Sequence, residues 1–155
     1  MEGIEKLLRE HPFFQGMDAS HITTIAGCGS IVRFEAGEFI CREGEDANYF
    51  YAIRAGRVAL ELNSERGDIV VQTLDQDDML GWSWLIPPYR WAFDARAIEV
   101  VRAVRFDCNS LRAKCEDDPR MGYDFLKRFA KVIVDRLEAM RLQILDMYGK
   151  PVTTV

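Results

Sequence analysis

The chain is 155 residues long, the size of one ordinary domain, with 48% hydrophobic and 29% charged residues; that balance excludes a disordered, collagen-like or disulfide-dense chain. The net charge of −5 argues against bulk nucleic-acid binding, which leans on phosphate neutralisation. No apolar run approaches the roughly 20 residues of a membrane-spanning helix, and the opening MEGIEKLLREHPFF lacks the apolar core and cleavage site of a signal peptide, so the expected location is the cytoplasm. The first zone, residues 1–28, is helical: Ile4, Leu7 and Leu8 share one face, His11-Pro12 interrupts it, and Asp18 or Ser20 caps a short second helix through Ile22, Ile25 and Ala26.

Residues 29–107 read as strands. Six runs rich in β-branched and aromatic residues recur, at 30–34, 38–41, 49–53, 58–62, 69–74 and 100–106, with glycines at 37, 44, 56 and 67 where the chain must reverse. Val58, Leu60 and Leu62 alternate with Ala59 and Glu61, as a half-buried strand requires. The third zone, 108–150, is helical again. A short helix from Ser110 is stopped by Pro119, and from Arg120 the apolar residues Phe125, Phe129, Val132, Ile133, Leu137, Met140, Ile144 and Met147 step by threes and fours to a stop at Gly149-Lys150-Pro151. That helix is about 40 Å long at 1.5 Å per residue, longer than a small β-body covers. It is mildly basic: residues 119–155 carry seven Lys/Arg against four Asp/Glu, a net of +3, which leaves −8 for the remainder.

Enzyme signatures are missing. There is no GxGxxG, GxxxxGK[ST] or GxSxG sequence. Both histidines, His11 and His21, precede the strand zone, which removes the clustered ligands of a metal-dependent β-barrel enzyme. The four cysteines form no CxxC pair and read as reduced thiols packed as small hydrophobes. Neither a metal nor a cofactor is expected. The most unusual stretch is 75–97, where all three tryptophans (Trp82, Trp84, Trp91) fall within ten residues beside Tyr89 and Arg90. Gly81 permits a tight entry, residues 82–86 suit a single helical turn, and Pro87-Pro88 ends it. Aromatic walls, turn amides and Arg90 together suit a flat anionic ligand. In the competing reading the tryptophans are core and Arg90 stacks on one of them.

The series His11-Pro-Phe-Phe14, Phe34-Glu-Ala-Gly37-Glu-Phe-Ile40, Arg42-Glu-Gly44-Glu-Asp-Ala47 and Tyr49-Phe-Tyr-Ala-Ile-Arg-Ala-Gly56-Arg-Val58 resembles the cyclic-nucleotide-binding domain family. The resemblance implies a mainly β fold with flanking helices: an eight-stranded jelly roll, the cupin-like double-stranded β-helix, plus a long C-terminal helix. It also implies a phosphate-binding cassette of Gly-Glu, a short helix, then Arg-Ser/Thr-Ala. In the family the Glu accepts the ribose hydroxyl and the Arg pairs with the cyclic phosphate. Gly81, Arg90 and Ala92 match that pattern, whereas Trp82 and Trp91 replace the Glu and the Ser/Thr. Indole has an N–H donor and no acceptor lone pair, so Trp82 cannot take the ribose proton. A register shift of about one residue in the continuation leaves Arg90 and Arg96 both open as the arginine facing the pocket.

The expectation is therefore one domain over 1–155 without a DNA-binding domain: a non-enzymatic ligand-sensing or regulatory unit that does not bind cyclic AMP in the usual way. Its candidate ligand residues are Gly81, Trp82, Ser83, Trp84, Arg90, Trp91 and Ala92, for a small anionic or nucleotide-like molecule. The long helix resembles the family's dimerisation helix, which implies a homodimer through Phe129, Ile133, Leu137, Met140 and Ile144; the competing reading folds that helix against its own barrel. Neither DNA nor a membrane is an expected partner. The rival function is a ligand-free interaction module, a regulatory subunit of a larger complex.

Overall fold

The structure is a computed structural model that describes residues 2–149; Lys150 and Pro151 of the expected helix stop lie outside the described residues. The first helices are α1 (Glu2–Glu10) and α2 (Ala19–Ala26), joined through a single 3₁₀ turn at Pro12–Phe14. Proline at the start of that turn gives up an N–H that has no helical partner anyway, and His11 caps it by accepting from the Phe13 amide at 3.3 Å. Asp18 caps α2 by accepting from the Ser20 amide at 2.9 Å.

Eight strands follow: β1 (Gly29–Phe34), β2 (Phe39–Cys41), β3 (Tyr49–Ala55), β4 (Val58–Ser64), β5 (Gly67–Leu74), β6 (Met79–Leu80), β7 (Asp94–Ala97) and β8 (Val101–Asp107). They form two antiparallel sheets in the orders β1-β8-β3-β6 and β2-β7-β4-β5, the jelly roll that the resemblance implies. Six of the strands coincide with the six β-rich runs. β6 and β7 do not, because the first has only two residues and the second reads Asp-Ala-Arg-Ala, with no large apolar side chain to mark it. The β3–β4 reversal turns on Gly56 at φ 95°, where a Cβ would collide with the Val100 carbonyl.

The core is a stack of aromatic rings between the sheets and the last helix. Phe50 of β3 lies parallel to Trp84 at 4.9 Å and to Phe106 at 4.6 Å. The chain re-enters as α3 (Cys108–Asp117) and α4 (Pro119–Tyr148), the latter capped by Asp118 with Pro119 in its first turn. Phe125 and Phe129 of α4 meet Phe50 edge-on at 6.2 and 5.2 Å. Each such ring stabilises the fold by about 1.5–3 kcal/mol when withdrawn from water. Arg128 pins the same face of α4 to the N-terminal turn by donating to the Phe13 and Gln15 carbonyls, and it pairs with Asp124 at 2.8 Å.

This packing corrects one expectation. Phe129 is completely buried within the protomer, so it has no surface to offer a second copy. α4, about 45 Å long for its 30 residues, is divided: one face of its first three turns, Met121, Phe125 and Phe129, is core, while Leu137 and Ile144 are 65% and 56% exposed.

Candidate functional site

The segment between β6 and β7 is built from the chain direction at Gly81. Its φ of 102° is open to glycine, and an added Cβ would stand 2.7 Å from Cη2 of Trp91. Ser83–Leu85 then form one 3₁₀ turn, shorter than the turn expected at 82–86, and Ser83 is buried. Trp84 fills the core, its indole edge-on to Phe125 and Phe129 at 5.8 and 5.6 Å. Its carbonyl accepts from Nη1 of Arg112 at 2.7 Å, and the same guanidinium covers the Tyr89 ring at 4.5 Å. Trp91 is buried too, packed on Gly81 and edge-on to Phe93 at 6.1 Å.

Arg90 lines an open polar cleft of about 480 Å³ with Glu45, Asp46, Asn48 and Tyr49 rather than an apolar cavity. The backbone of residues 89–91 pairs with the loop at 44–47, through Ala47 N to Tyr89 O at 2.7 Å and Trp91 N to Glu45 O at 2.9 Å. Arg90 reaches over that loop, donating to the Gly44 carbonyl at 2.9 Å and lying 3.2 Å from Asp46, with more than half of its side chain in solvent. The stacking of Arg90 on a tryptophan that belongs to the competing reading does not occur: the cation–π contacts among the described residues fall on Phe39, Tyr49, Tyr89 and Tyr123. Arg96 pairs with the enclosed Glu61 at 2.5 Å and lies 5.4 Å from the centre of the Phe39 ring.

What the segment does border is an apolar cavity of about 310 Å³. One wall is Leu60 and Leu62 of β4 with Val71 and Gln72 of β5; another is Trp82, Ala92 and Phe93; α4 closes it with Ile133, Arg136, Leu137 and Met140. Of the expected ligand residues, then, Trp82 and Ala92 reach the cavity. Trp84 and Trp91 are core. Ile133, Leu137 and Met140, expected at a dimer interface, form the helical wall.

Arg136 is the functional candidate that sequence reasoning missed. Its Nη1 is enclosed and has no hydrogen-bond partner. Burial pushes its pKa down to about 10, with Asp78 opposing the shift, so it stays charged at neutral pH. A signal was present: Ile133, Arg136, Leu137 and Met140 are spaced i, i+3, i+4, i+7, which places a guanidinium inside the apolar stripe.

Other chemistry is sparse. No three His, Cys, Asp or Glu side chains among the described residues come together as a metal site. The four cysteines are unpaired, and burial pushes all four thiols upward, Cys115 to about 11, which keeps them protonated and poorly nucleophilic.

The architecture has counterparts among known proteins. A profile of the cyclic nucleotide-binding domain matches residues 31–118, more than half of the chain. The chain belongs to the cyclic nucleotide-binding domain family. Within it, the chain is 26% identical over 129 residues to the CRP-like cAMP-activated global transcriptional regulator of Mycobacterium tuberculosis, covering 83% of this chain and 58% of that regulator. Thus it spans little more than half the length of that relative. A Geobacter metallireducens protein with a proposed cyclic nucleotide-binding role superposes with a TM-score of 0.79 at 26% identity, over 86% of this chain and 97% of the other. The regulatory subunit of a cAMP-independent protein kinase A from Trypanosoma brucei shares the fold at a TM-score of 0.69 and 24% identity, over 84% and 47% of the two chains. The Mycobacterium and Trypanosoma proteins are regulatory, and no helix among the described residues of this chain is long and apolar enough to cross a membrane.

Proposed function

We propose that this member of the cyclic nucleotide-binding domain family is a non-enzymatic ligand-sensing regulatory domain whose pocket has turned away from cyclic AMP. The observation that carries the reading is the composition of the cavity wall. Trp82 stands where the family's glutamate accepts the ribose hydroxyl, and Arg90 is engaged by the Gly44 carbonyl and Asp46. A buried hydroxyl left without its acceptor costs about 1–3 kcal/mol, one to two powers of ten in affinity, before any clash with the indole. An occupant of the cavity touches α4 directly, so its binding favours one pose of that helix over another.

The rival reading, a ligand-free interaction module with a solid cassette, gains from the burial of Trp84 and Trp91. The open volume beside Trp82 favours the sensor. The output is a homodimer. Leu126, Ala130, Ile133, Leu137, Met140, Ile144 and Met147 alternate steps of four and three along α4, the apolar repeat through which helices pair in a coiled coil. Isothermal titration with cyclic AMP and cyclic GMP tests the ligand reading. High-micromolar affinity or no heat is expected, and submicromolar binding by the unaltered protein would refute it.

A further inference from the structure

We infer that the cavity between β4, β5 and α4 takes a compact apolar molecule carrying one anionic group, held by Arg136 rather than by either arginine of the cassette region. The inference rests on the sensor reading and names the ligand chemistry of its site. Leu60, Val71, Phe93, Ile133 and Met140 give the cavity a wall with almost nothing for a sugar or a purine edge to hydrogen-bond. At about 310 Å³ it is near the small end of the range for ligand pockets, room for one or two fused rings or a medium alkyl chain.

The polar side chains of the lining are those of Gln72 and Arg136. Gln72 and Arg136 line both this cavity and the neighbouring groove under Pro12 and Phe13. In that groove Asp135 is held by Lys131 at 3.1 Å, Asp78 accepts from the Asp75 amide at 2.8 Å, and Arg128 is engaged with Asp124 and two carbonyls. Arg136 lines both spaces, and its Nη1 is buried without a hydrogen-bond partner, so its guanidinium is the donor to which an incoming group can be matched. A buried donor on a cation that lacks an acceptor is unfavourable, and an anion supplies the charge-assisted bond it lacks. An amphipathic acid satisfies both halves, with its body against the apolar walls and its head at Arg136 and Gln72. A neutral molecule of the same shape satisfies only the first.

The test compares 2-naphthoate with its neutral counterpart 2-naphthalenemethanol, and decanoate as the aliphatic acid, by isothermal titration of the full chain. The acid is expected to bind at least about tenfold tighter than the alcohol, the gap a charge-assisted hydrogen bond supplies. Arg136→Met should erase the gap, Arg136→Lys should retain part of it, and Ala92→Trp, which fills the cavity from its exposed rim, should abolish all binding. Tighter binding of naphthoate points to an aromatic acid as the natural class, tighter binding of decanoate to a fatty acid; either supports the inference. Equal binding of acid and alcohol, lost in Ala92→Trp, would overturn the anionic assignment and leave the sensor reading standing. Binding of neither, as when a second copy's helix fills the space, would overturn both. The comparison on the unaltered protein decides the matter even if a variant does not fold.

Discussion

Gly81→Ala separates the structural role of the cassette glycine from a ligand-binding one. Two costs arise at once. The alanine must hold a φ of 102°, which L-residues rarely adopt and which carries about 1–3 kcal/mol of strain. Its methyl group must also displace Trp91, whose Cη2 and Cζ3 would stand at 2.7 and 3.0 Å in a buried site, an overpacking of about 1–3 kcal/mol. Together they amount to about 2–6 kcal/mol, a large share of the roughly 5–15 kcal/mol that holds a domain folded. In a urea titration followed by fluorescence the midpoint should fall by roughly 1–2 M at an unchanged slope. Trp91→Phe shortens the ring at the point of contact. In that background Gly81→Ala should retain only the backbone cost, giving a coupling of about 1–3 kcal/mol between the two positions. Strict additivity, or a loss below about 0.5 kcal/mol for Gly81→Ala alone, would show that Gly81 is not what lets Trp91 pack.

Trp84→Ala should destabilise the protein by about 3–5 kcal/mol, read by the same denaturation, because the indole is enclosed by Phe50, Phe125 and Phe129. Leu137→Glu should convert a dimer to a monomer in sedimentation velocity while the protomer stays folded by circular dichroism, since that side chain is mostly exposed within one protomer. Trp82→Glu should raise cyclic AMP affinity about tenfold by restoring a hydroxyl acceptor in the cavity wall, checked by titration against the unaltered protein. His11 is enclosed and desolvation lowers its pKa, so the unfolded chain binds the proton more readily than the folded one. Stability should therefore be full above pH 6.5 and decline as the pH falls from there towards the depressed folded value, and thermal melts of His11→Gln should lose that part of the slope.

The fold was legible because its signals are local and periodic. Six β-rich runs, the His11-Pro12 break and the three-and-four spacing of α4 each follow from backbone sterics or from the need to bury one face. β6 and β7 escaped because strands of two and four residues give no alternation to detect. The site was legible only in part. The concentration of tryptophans at 82, 84 and 91 singles out a segment that borders the cavity, but composition cannot tell a ring that faces the core from one that faces a cavity. Trp84 and Trp91 went to the core, and Trp82 to the wall. Arg90 and Arg96 were the natural anion partners by proximity in sequence. Their actual partners, Gly44, Asp46 and Glu61, are 30 or more residues away and depend on the pairing of β4 with β7 and on the bridge between Asp46 and Arg90. Arg136 lies still farther along the chain and reaches the site only because α4 folds back across β4 and β5.

Methionine methyl NMR offers the most direct test of the central claim, that this pocket accepts an apolar acid in place of a cyclic nucleotide and presents it to α4. The Met140 methyl group belongs to the cavity wall, whereas Met121 is buried in the core on the first turn of the same helix. Titration with 2-naphthoate should shift the Met140 resonance while cyclic AMP at the same micromolar concentrations leaves it in place. A Met140 resonance that moves with cyclic AMP and ignores naphthoate would contradict the account.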